Sequence, residues 1–501
     1  MDRRNFNLAL LAAGASAGFG ARAVTSETDA FFSAFEAQRA GHPWTLGYVG
    51  LQADAEPMPL TLRGRMPREL RGAFYRNGPA RHSLAGQRYH HWFDGDGMVQ
   101  KYTLSDRGIV HQGRFVRTDK FLADSAAGRP VRVAFGTNPP GAEAPTSADS
   151  INVANTSMVH HGGELMALWE GGSATRIDPQ TLATGGLKTW SPEYAGMAFS
   201  AHPRIEPDGT LWNFGVTGAQ GLLSIYRVRA SGELADAVTL KVPGIGMVHD
   251  FAVTQRHLVF LVPPLVFDRD RAAAGETFLA SHVWKPQLGL RVMVLPKDRL
   301  DAPQWFDLPL GFVFHLGNAC EDGGVIRLDY IRSVSAWNAT NGLVELMKGR
   351  YALEKSSVAL VEIDLKSGQA RQSVLGHQAE FPRIDRRVTA RPYAHVYTAA
   401  RTGSGDRPGY DSVMRLDVTT GKVDRFQYGP DVMVEEHVFV PSRTGSGREG
   451  DGWLVGTALD LQRRQMLFSV FDARRLGDGP VAQGVMPRVM PLGLHAIFVA
   501  A

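Results

Sequence analysis

One short pattern recurs along the chain: a strand of alternating apolar and polar residues, a polar turn and a second strand. Alternation at a period of two, interrupted by Gly, Asp or Ser, is typical of β-hairpins. Successive turns are roughly 50 to 75 residues apart, slightly more than the ~40–50 residues of a propeller blade. The seven turns lie around Ser105, Asp178, Arg229, Lys297, Asp364, Asp417 and Asp472. The pattern predicts an all-β fold and favours a seven-bladed β-propeller over two stacked β-sandwiches.

The length of the chain fits either several domains or one closed repeat. Its 501 residues exceed the ~250–300 at which a single core usually stops growing. No low-complexity linker divides it, and we predict one propeller domain over residues 24–501. Long insertions separate several hairpins and have helical character near residues 268–278 and 336–348. We expect them to form a helical and loop lid over one face.

Composition narrows the functional classes. Glycine accounts for 55 residues, about 11% against a usual ~7%, which suits a turn-rich β protein. The single cysteine, Cys320, excludes an intramolecular disulfide and any zinc or iron–sulfur site built on cysteine. Basic and acidic residues are interleaved at a net charge of +4, without a Lys/Arg-rich run. We therefore expect no nucleic-acid partner.

The N-terminus reads as an export signal over residues 1–23. Arg3 and Arg4 precede an apolar stretch of about thirteen residues, and an A-x-A-like cleavage site follows. The twin arginine is typical of the bacterial route that exports folded proteins. The apolar stretch is too short to cross ~30 Å of hydrocarbon. We predict an exported or periplasmic protein, with membrane association open; an ordinary secretory signal or a ragged terminal helix is the alternative.

Four of the 16 histidines stand out by their sequence context. His202, His249, His315 and His495 are flanked by apolar residues typical of buried strand ends, and each falls in a different hairpin interval. A lone histidine of this kind is most often structural. Four that converged on a propeller axis could hold Fe, Zn, Cu or Ni.

Three glutamates accompany these histidines. A metal-bound imidazole usually donates its other N–H to a carboxylate, and Glu170, Glu380 and Glu436 lie in apolar surroundings that suit this role. A surface or salt-bridged position is the alternative for each. Together the seven residues fall one per hairpin interval, as the axis of a seven-bladed propeller would produce.

Nine segments of the chain resemble the carotenoid cleavage oxygenases, over roughly residue 45 to the C-terminus. They read FYRNGPAR, HHWFDGDGMV, LWEGGSATRIDPQTL, SAHPRI, MVHDFAVT, FHLGNACED, EFPRID, EEHVFVP and LGLHAIF. The resemblance implies a seven-bladed propeller with non-haem Fe(II) on its axis. The implied ligands are His202, His249, His315 and His495. The implied supporting pairs are Glu170 with His249, Glu380 with His315 and Glu436 with His495, which leaves His202 without a carboxylate.

The chain departs from the family pattern directly after Glu436. The family usually has Pro there, whereas this chain has His437, which we expect at the surface. Glu435, directly before Glu436, is the residue most easily confused with the carboxylate that supports His495.

The resemblance implies an enzyme that inserts both atoms of O2 across an alkene and releases two carbonyl products. It requires no protein acid or base, so we name none. Stilbenoid-cleaving members have a Lys before the first supporting Glu and a Tyr near position 135, which bind and ionise a phenol; here Trp169 and Phe135 stand instead. We predict a dioxygenase for an apolar polyene, a carotenoid or apocarotenoid. Phe93, Phe135 and Trp169 are the expected substrate contacts, with core packing as the alternative.

Two other functions remain open: a stilbenoid- or phenylpropenoid-cleaving dioxygenase, and a propeller that binds a ligand without catalysis. The segment LVFLVPPLVF, residues 258–267, resembles the exposed apolar patch through which lipid-dissolved substrates enter members of the family. Such a patch implies peripheral membrane contact. A buried strand followed by a turn is the alternative.

Overall fold

The computed structural model describes residues 29–403, 405 and 407–501. The predicted export signal at residues 1–23 lies outside the described residues. In the part of the chain that is described, no helix combines the length and apolar character needed to cross a membrane. These residues form a mostly β structure, as the hairpin pattern predicts. Its four α-helices are α1 Ala30–Arg39, α2 Asp119–Ala127, α3 Arg269–Ala273 and α4 Leu343–Met347.

Strands account for most of the ordered backbone. Up to the second histidine motif they are β1 Ala55–Pro59, β2 Thr61–Gly64, β3 Gly72–Arg81, β4 Ser83–Leu84, β5 Gln87–Arg88, β6 Asp96–Ser105, β7 Gly108–Phe115, β8 Ser157–His161, β9 Glu164–Leu168, β10 Thr175–Ile177, β11 Thr184–Leu187, β12 Arg204–Ile205, β13 Leu211–Thr217, β14 Leu222–Val228, β15 Leu234–Lys241 and β16 Ala252–Val253. The others are β17 His257–Val262, β18 Leu265–Phe267, β19 His282–Trp284, β20 Leu290–Pro296, β21 Gln304–Leu308, β22 Phe312–Asp322, β23 Val325–Ser333, β24 Ser356–Asp364, β25 Gln369–Arg383, β26 His395–Ala400, β27 Ser412–Asp417, β28 Val423–Gln427, β29 Val432–Pro441, β30 Gly452–Asp460, β31 Gln465–Asp472, β32 Ala482–Met486 and β33 His495–Ala500.

Most of these strands pair with strands close to them in the sequence. Among the described residues the larger sheets run β1-β7-β6-β3-β33, β11-β10-β9-β8, β12-β13-β14-β15, β16-β17-β20-β21, β22 to β28 in order, and β2-β32-β31-β30-β29. The long strand β25 pairs with β24 near its start and with β26 near its end. All seven predicted hairpins are antiparallel pairs in these sheets. The period-two pattern therefore located the turns correctly.

The two ends of the described chain meet in shared sheets. The last strand, β33, pairs antiparallel with β3, so that Asn77 lies opposite His495. In the same way β2 pairs with β32. The buried Asn77 amide donates to the carbonyl oxygens of Ala154 (2.9 Å) and Ser157 (3.0 Å), which tie this sheet to the next one. The strand that carries the last histidine motif is therefore held by the N-terminal part of the fold.

A pair of turn glycines illustrates why the chain is rich in this residue. Gly162 and Gly232 have positive φ angles of 57° and 88°. Their turns touch, and a Cβ atom built on Gly162 would lie 2.4 Å from the Cα of Gly232. Both the left-handed backbone and the close approach exclude larger residues here.

The predicted helical insertions are present but shorter than expected. Within residues 268–278 the helix α3 covers only Arg269–Ala273, and within 336–348 a π-helical turn at Asn338–Gly342 leads into α4. Both insertions contribute residues to the lining of a cavity of about 680 Å³.

The predicted exposed patch at residues 258–267 is wrong. Residues 258–265 are buried, with Leu258, Phe260 and Leu265 each 0% exposed. Strand β17 packs in the middle of its sheet, between β16 and β20, and both of its faces are covered. A continuous apolar run is the pattern of such a strand, so residues 258–265 do not form an exposed patch.

Candidate metal centre

Four elements bring the predicted histidines together. His202 precedes β12, His249 precedes β16, His315 lies within β22 and His495 begins β33. One ring nitrogen from each lies within 4.8 Å of those of the others. The Nε2 atoms of His202 and His249 are 2.9 Å apart, and those of His315 and His495 are 3.1 Å apart.

This donor set fits a metal ion. Adjacent donors around an octahedral ion, with metal–nitrogen bonds of about 2.1 Å, are about 3.0 Å apart, close to the two Nε2 separations. The Nδ1 atoms of His315 and His495 face carboxylates, so their Nε2 lone pairs face each other, and a cation between them would remove that repulsion. Four imidazoles without thiolates suit Fe, Co, Ni, Cu or Zn.

Three carboxylates orient three of the rings. The Nδ1 of His249 donates to Glu170 (2.5 Å) and the Nδ1 of His315 donates to Glu380 (2.5 Å). Such a bond fixes the ring and leaves the Nε2 lone pair for a metal.

The third pair joins His495 and Glu436 at 2.9 Å between Nδ1 and Oε1. The fourth histidine, His202, has no carboxylate partner among the described residues. These are the three pairs, and the unpaired ring, that the resemblance implied.

The electrostatics of the His495 pair suit a neutral ligand beside a fixed charge. Burial alone would raise the pKa of Glu436, but the Arg383 and His495 charges outweigh it and lower that pKa to about 2. Burial lowers the pKa of His495 to about 4, against the opposing effect of Glu436. At neutral pH the carboxylate is therefore ionised and this imidazole is neutral.

The pKa values of His202 and His249 shift in opposite directions. Burial, and then the neighbouring histidines, lowers the pKa of His202 well below its usual value. For His249 burial also acts to lower the pKa, but the charge and hydrogen bond of Glu170 outweigh it and raise the pKa.

A strained residue adjoins the Glu380 pair. Phe381 has a positive φ of 58°, rare for a residue with a side chain, at an irregularity in β25. Its N–H donates to Glu380 (2.8 Å), and its ring lies 5.6 Å from those of both His315 and His495. The distortion turns Phe381 onto two of the histidines. Sequence reasoning quoted the EFPRID segment but missed this residue.

Glu435 and His437, the residues on either side of Glu436, are both buried. Glu435 forms a buried ion pair with Arg76 and accepts hydrogen bonds from Thr457 Oγ1 (2.7 Å) and the Gly493 N–H (2.6 Å). The expectation that His437 lies at the surface is wrong, since it is 3% exposed. Its Nδ1 donates to the carbonyl of Glu435 (3.0 Å). The rings of Tyr428 and Phe471 lie 6.3 Å and 6.0 Å from its ring, and the Tyr428 hydroxyl lies 3.3 Å from its Nε2.

A large cavity opens onto the histidine cluster. Its volume is about 680 Å³, and His249, His315 and His495 reach its wall. The three predicted substrate contacts, Phe93, Phe135 and Trp169, all line it.

Phe314, which sequence reasoning missed, connects this aromatic wall to the cluster. Its ring lies 6.1 Å from that of Phe93 and 5.4 Å from that of His249. The position of Phe314 directly before His315 in the sequence was the signal that could have identified it. Elsewhere the same cavity has a polar part that includes Tyr48, Tyr351, Tyr410 and Arg401.

Comparison with known proteins places these features in one family. The profile of the retinal pigment epithelial membrane protein family matches residues 50–500. The apocarotenoid-15,15'-oxygenase of Synechocystis is 30% identical over 91% of this chain and 96% of its own length. The lignostilbene-alpha,beta-dioxygenase isozyme III of Sphingomonas paucimobilis is 29% identical over 91% of this chain and 97% of its own length.

Solved structures agree with this grouping. A variant of the Synechocystis apocarotenoid oxygenase superimposes with a TM-score of 0.83 at 27% identity, covering 92% of this chain and 98% of that one. A cobalt-substituted form of the same enzyme gives a TM-score of 0.82 over the same shares. The match over nearly the whole length shows that this chain belongs to the retinal pigment epithelial membrane protein family, the carotenoid cleavage oxygenases that its sequence motifs resemble.

Proposed function

We propose that this protein is an Fe(II)-dependent dioxygenase that cleaves a conjugated C=C bond of a carotenoid or apocarotenoid. The observation that carries the proposal is the convergence of four histidine nitrogen donors, three of which reach the wall of an aromatic-lined cavity of about 680 Å³. The reaction balances without a further reductant, because both atoms of O2 end in the two carbonyl groups and the C=C bond is the one that breaks.

The proposed metal ligands are His202, His249, His315 and His495. Bound there, Fe(II) would supply the redox chemistry that O2 needs to react with an alkene. The donor set alone also suits other divalent ions; the choice of iron rests on the family resemblance.

The protein's own part is orientation and exclusion of water. Glu170, Glu380 and Glu436 hold three imidazole rings in place through their Nδ1 atoms. The aromatic wall fixes which segment of the substrate lies against the cluster, and such positioning accounts for a large share of a rate enhancement. No side chain is assigned a proton transfer.

Two features favour an apolar polyene over a phenolic stilbenoid. Trp169 precedes Glu170 where a phenol-binding Lys would be needed, and Phe135 offers no hydroxyl. Relatives of similar identity act on both kinds of compound, including the lignostilbene dioxygenase, so these two positions carry the distinction.

The polar part of the cavity favours a substrate with an oxygenated end. Burial raises the pKa of both Tyr48 and Tyr410, so their hydroxyl groups stay neutral. Tyr351 accepts a hydrogen bond from Arg401 (3.3 Å). Neutral hydroxyls suit a carbonyl or hydroxyl group, which supports an apocarotenoid in preference to a plain hydrocarbon.

We also propose that the sheets are the blades of one seven-bladed propeller over residues 24–501. If β25 serves the end of one blade and the start of the next, the six larger sheets divide into seven groups of four or five strands. The pairing of β33 with β3 would then close the ring. The four histidines come from four of these groups or the segments that join them, as an axial site requires.

Export remains a proposal that rests on the sequence of residues 1–23 alone. The twin arginine at Arg3 and Arg4 predicts transport of the folded protein to the periplasm. Mass spectrometry of the protein from periplasmic fractions would test it: a mature chain that begins near residue 24 supports export, and cytoplasmic retention of the full chain contradicts it.

The function itself is tested with protein loaded anaerobically with Fe(II). Products from C20–C40 polyenes and from hydroxystilbenes are compared by mass spectrometry under ¹⁸O2. We expect two labelled carbonyl products from a polyene or apocarotenal. Turnover of stilbenes alone would favour the phenolic alternative, and protein that takes up no metal would favour a ligand-binding propeller without catalysis.

A further inference from the structure

A second, smaller cavity of about 100 Å³ adjoins the histidine cluster. His315 and His495 line both cavities, whereas His202 lines only the small one and His249 only the large one. The four histidines therefore form a partition, with an aromatic cavity on one side and the small cavity on the other.

Five charged residues contribute to the lining of the small cavity. They are Arg204, Asp250, Arg383, Arg386 and Glu436. Arg204 contacts both oxygens of Asp250 at 2.7 Å, and Arg383 contacts Glu436 at 2.7 Å. Two of the three guanidinium groups thus form ion pairs with the two carboxylates, and the third forms none among the described residues.

That third group belongs to Arg386. Its guanidinium has no hydrogen bond or ion pair with any other described residue, although it lines a cavity next to a cluster of donors that fits a cation. The neighbouring carboxylate, Asp385, is engaged with Arg387 through both oxygens, at 2.6 Å and 3.0 Å. Arg386 is an exposed residue, and its side chain lines the solvent-accessible space of this cavity. Desolvation, together with Arg383 and against the attraction of Glu436, lowers the pKa of Arg386 to about 10, so the group is still charged at neutral pH.

We propose that the small cavity binds a small monovalent anion, a halide or a short carboxylate, against the guanidinium of Arg386. The unpaired charge supplies the attraction, and partial enclosure strengthens it relative to water. A cavity of about 100 Å³ is several times the ~30 Å³ that one water molecule occupies, enough for chloride or formate.

Chloride binding to the metal-free protein tests the proposal independently of the cleavage reaction. The readout is the ³⁵Cl NMR line width in a sodium chloride titration. We expect saturable broadening in the wild type, at least tenfold weaker binding in Arg386→Gln, and partial retention in Arg386→Lys, which keeps the charge. The matched control is Arg391→Gln, an exposed arginine five residues on that does not line the cavity. Equal broadening in the wild type and in Arg386→Gln would overturn the proposal.

Crystals grown in sodium bromide locate the anion. Anomalous scattering should show bromide beside Arg386 in the wild type and in Arg391→Gln, with none there in Arg386→Gln; bromide bound only on the outer surface contradicts the site. Sodium formate should displace the bromide if carboxylates share it. Thermal unfolding of each variant separates a lost site from a lost fold. A protein that binds bromide at Arg386 but fails to take up metal would refute the oxygenase function and leave the anion site standing.

Discussion

Glu435 and Glu436 are consecutive in β29, and they hold the backbone on both sides of His495. Glu435 accepts the N–H of Gly493 at 2.6 Å, and Glu436 accepts the N–H of Ala496 at 2.6 Å. Only Glu436 also contacts the ring of His495. Two adjacent carboxylates with the same charge and burial therefore have separable roles, one toward the imidazole and one toward the loop that carries it.

In Glu436→Gln the amide oxygen can still accept a hydrogen bond from His495, but the negative charge is lost and Arg383 loses its ion-pair partner. We expect metal affinity to fall about 10–100-fold, the usual cost of removing such a supporting carboxylate. Competition with a chelator for Co(II) measures it. Glu362→Gln, in an exposed ion pair with Arg327, is the control. Unchanged affinity in Glu436→Gln would show that the carboxylate does not support the site.

Glu435→Gln should act on stability instead. The substitution leaves the Arg76 guanidinium, 2% exposed, without its counter-charge. Breaking a buried pair in this way costs about 3–5 kcal/mol, which urea unfolding of the metal-free protein would measure. Replacing both partners, Arg76→Met with Glu435→Leu, should recover part of the loss. A larger effect on metal affinity than that of Glu436→Gln would reverse the assigned roles.

His249→Ala removes one of the four nitrogen donors and the partner of Glu170. We expect loss of cleavage activity, to below about one-thousandth of the wild type, with far-ultraviolet circular dichroism unchanged. His160→Ala, an exposed histidine of β8, should keep full activity. Retention of activity in His249→Ala would exclude its role as a ligand.

The double variant Trp169→Lys with Phe135→Tyr introduces the two phenol-binding residue types at positions that line the cavity. We expect it to gain measurable aldehyde production from a 4-hydroxystilbene and to lose part of its activity on polyenes. Aldehyde assays on both substrates provide the readout. A wild type that already cleaves the stilbene faster than any polyene would contradict the assignment of these two positions.

The ionisation of Glu69 makes the stability of the fold depend on pH in the acid range. It accepts hydrogen bonds from Ser442 (2.7 Å), Thr444 (2.8 Å) and Trp453 (2.9 Å). Burial opposes ionisation, but these bonds lower its pKa from 4.5 to about 2.

Because that pKa is lower in the folded protein, the stabilisation is complete above about pH 4.5 and is lost as the pH falls towards 2. Glu69→Gln should therefore unfold at lower urea concentrations than the wild type at pH 6, and the difference should shrink steadily below pH 4.5. A difference that stays constant down to pH 2.5 would exclude the carboxylate as its source.

The alternation of apolar and polar residues predicted the turns correctly, but it did not predict which segments are exposed to solvent. The seven hairpins were found because a two-residue period and polar turns are properties of the local chain. The segment 258–267 was misassigned because an apolar run looks the same whether it is a patch on the surface or a strand with both faces covered. The prediction that His437 lies at the surface was wrong for a related reason: the side chains that bury it come from other segments of the chain.

The sequence by itself determined the strand pattern, the absence of an intramolecular disulfide and, through its motifs, the identity of the four histidines and three glutamates. Only the tertiary structure decided how they meet: the separation of 2.9 Å between His202 and His249, the different partners of Glu435 and Glu436, and the unpaired Arg386 behind the cluster. The physical reason is that local periodicity records which way a side chain faces along its own strand. Distances between residues up to 293 positions apart, such as His202 and His495, depend on how whole sheets pack.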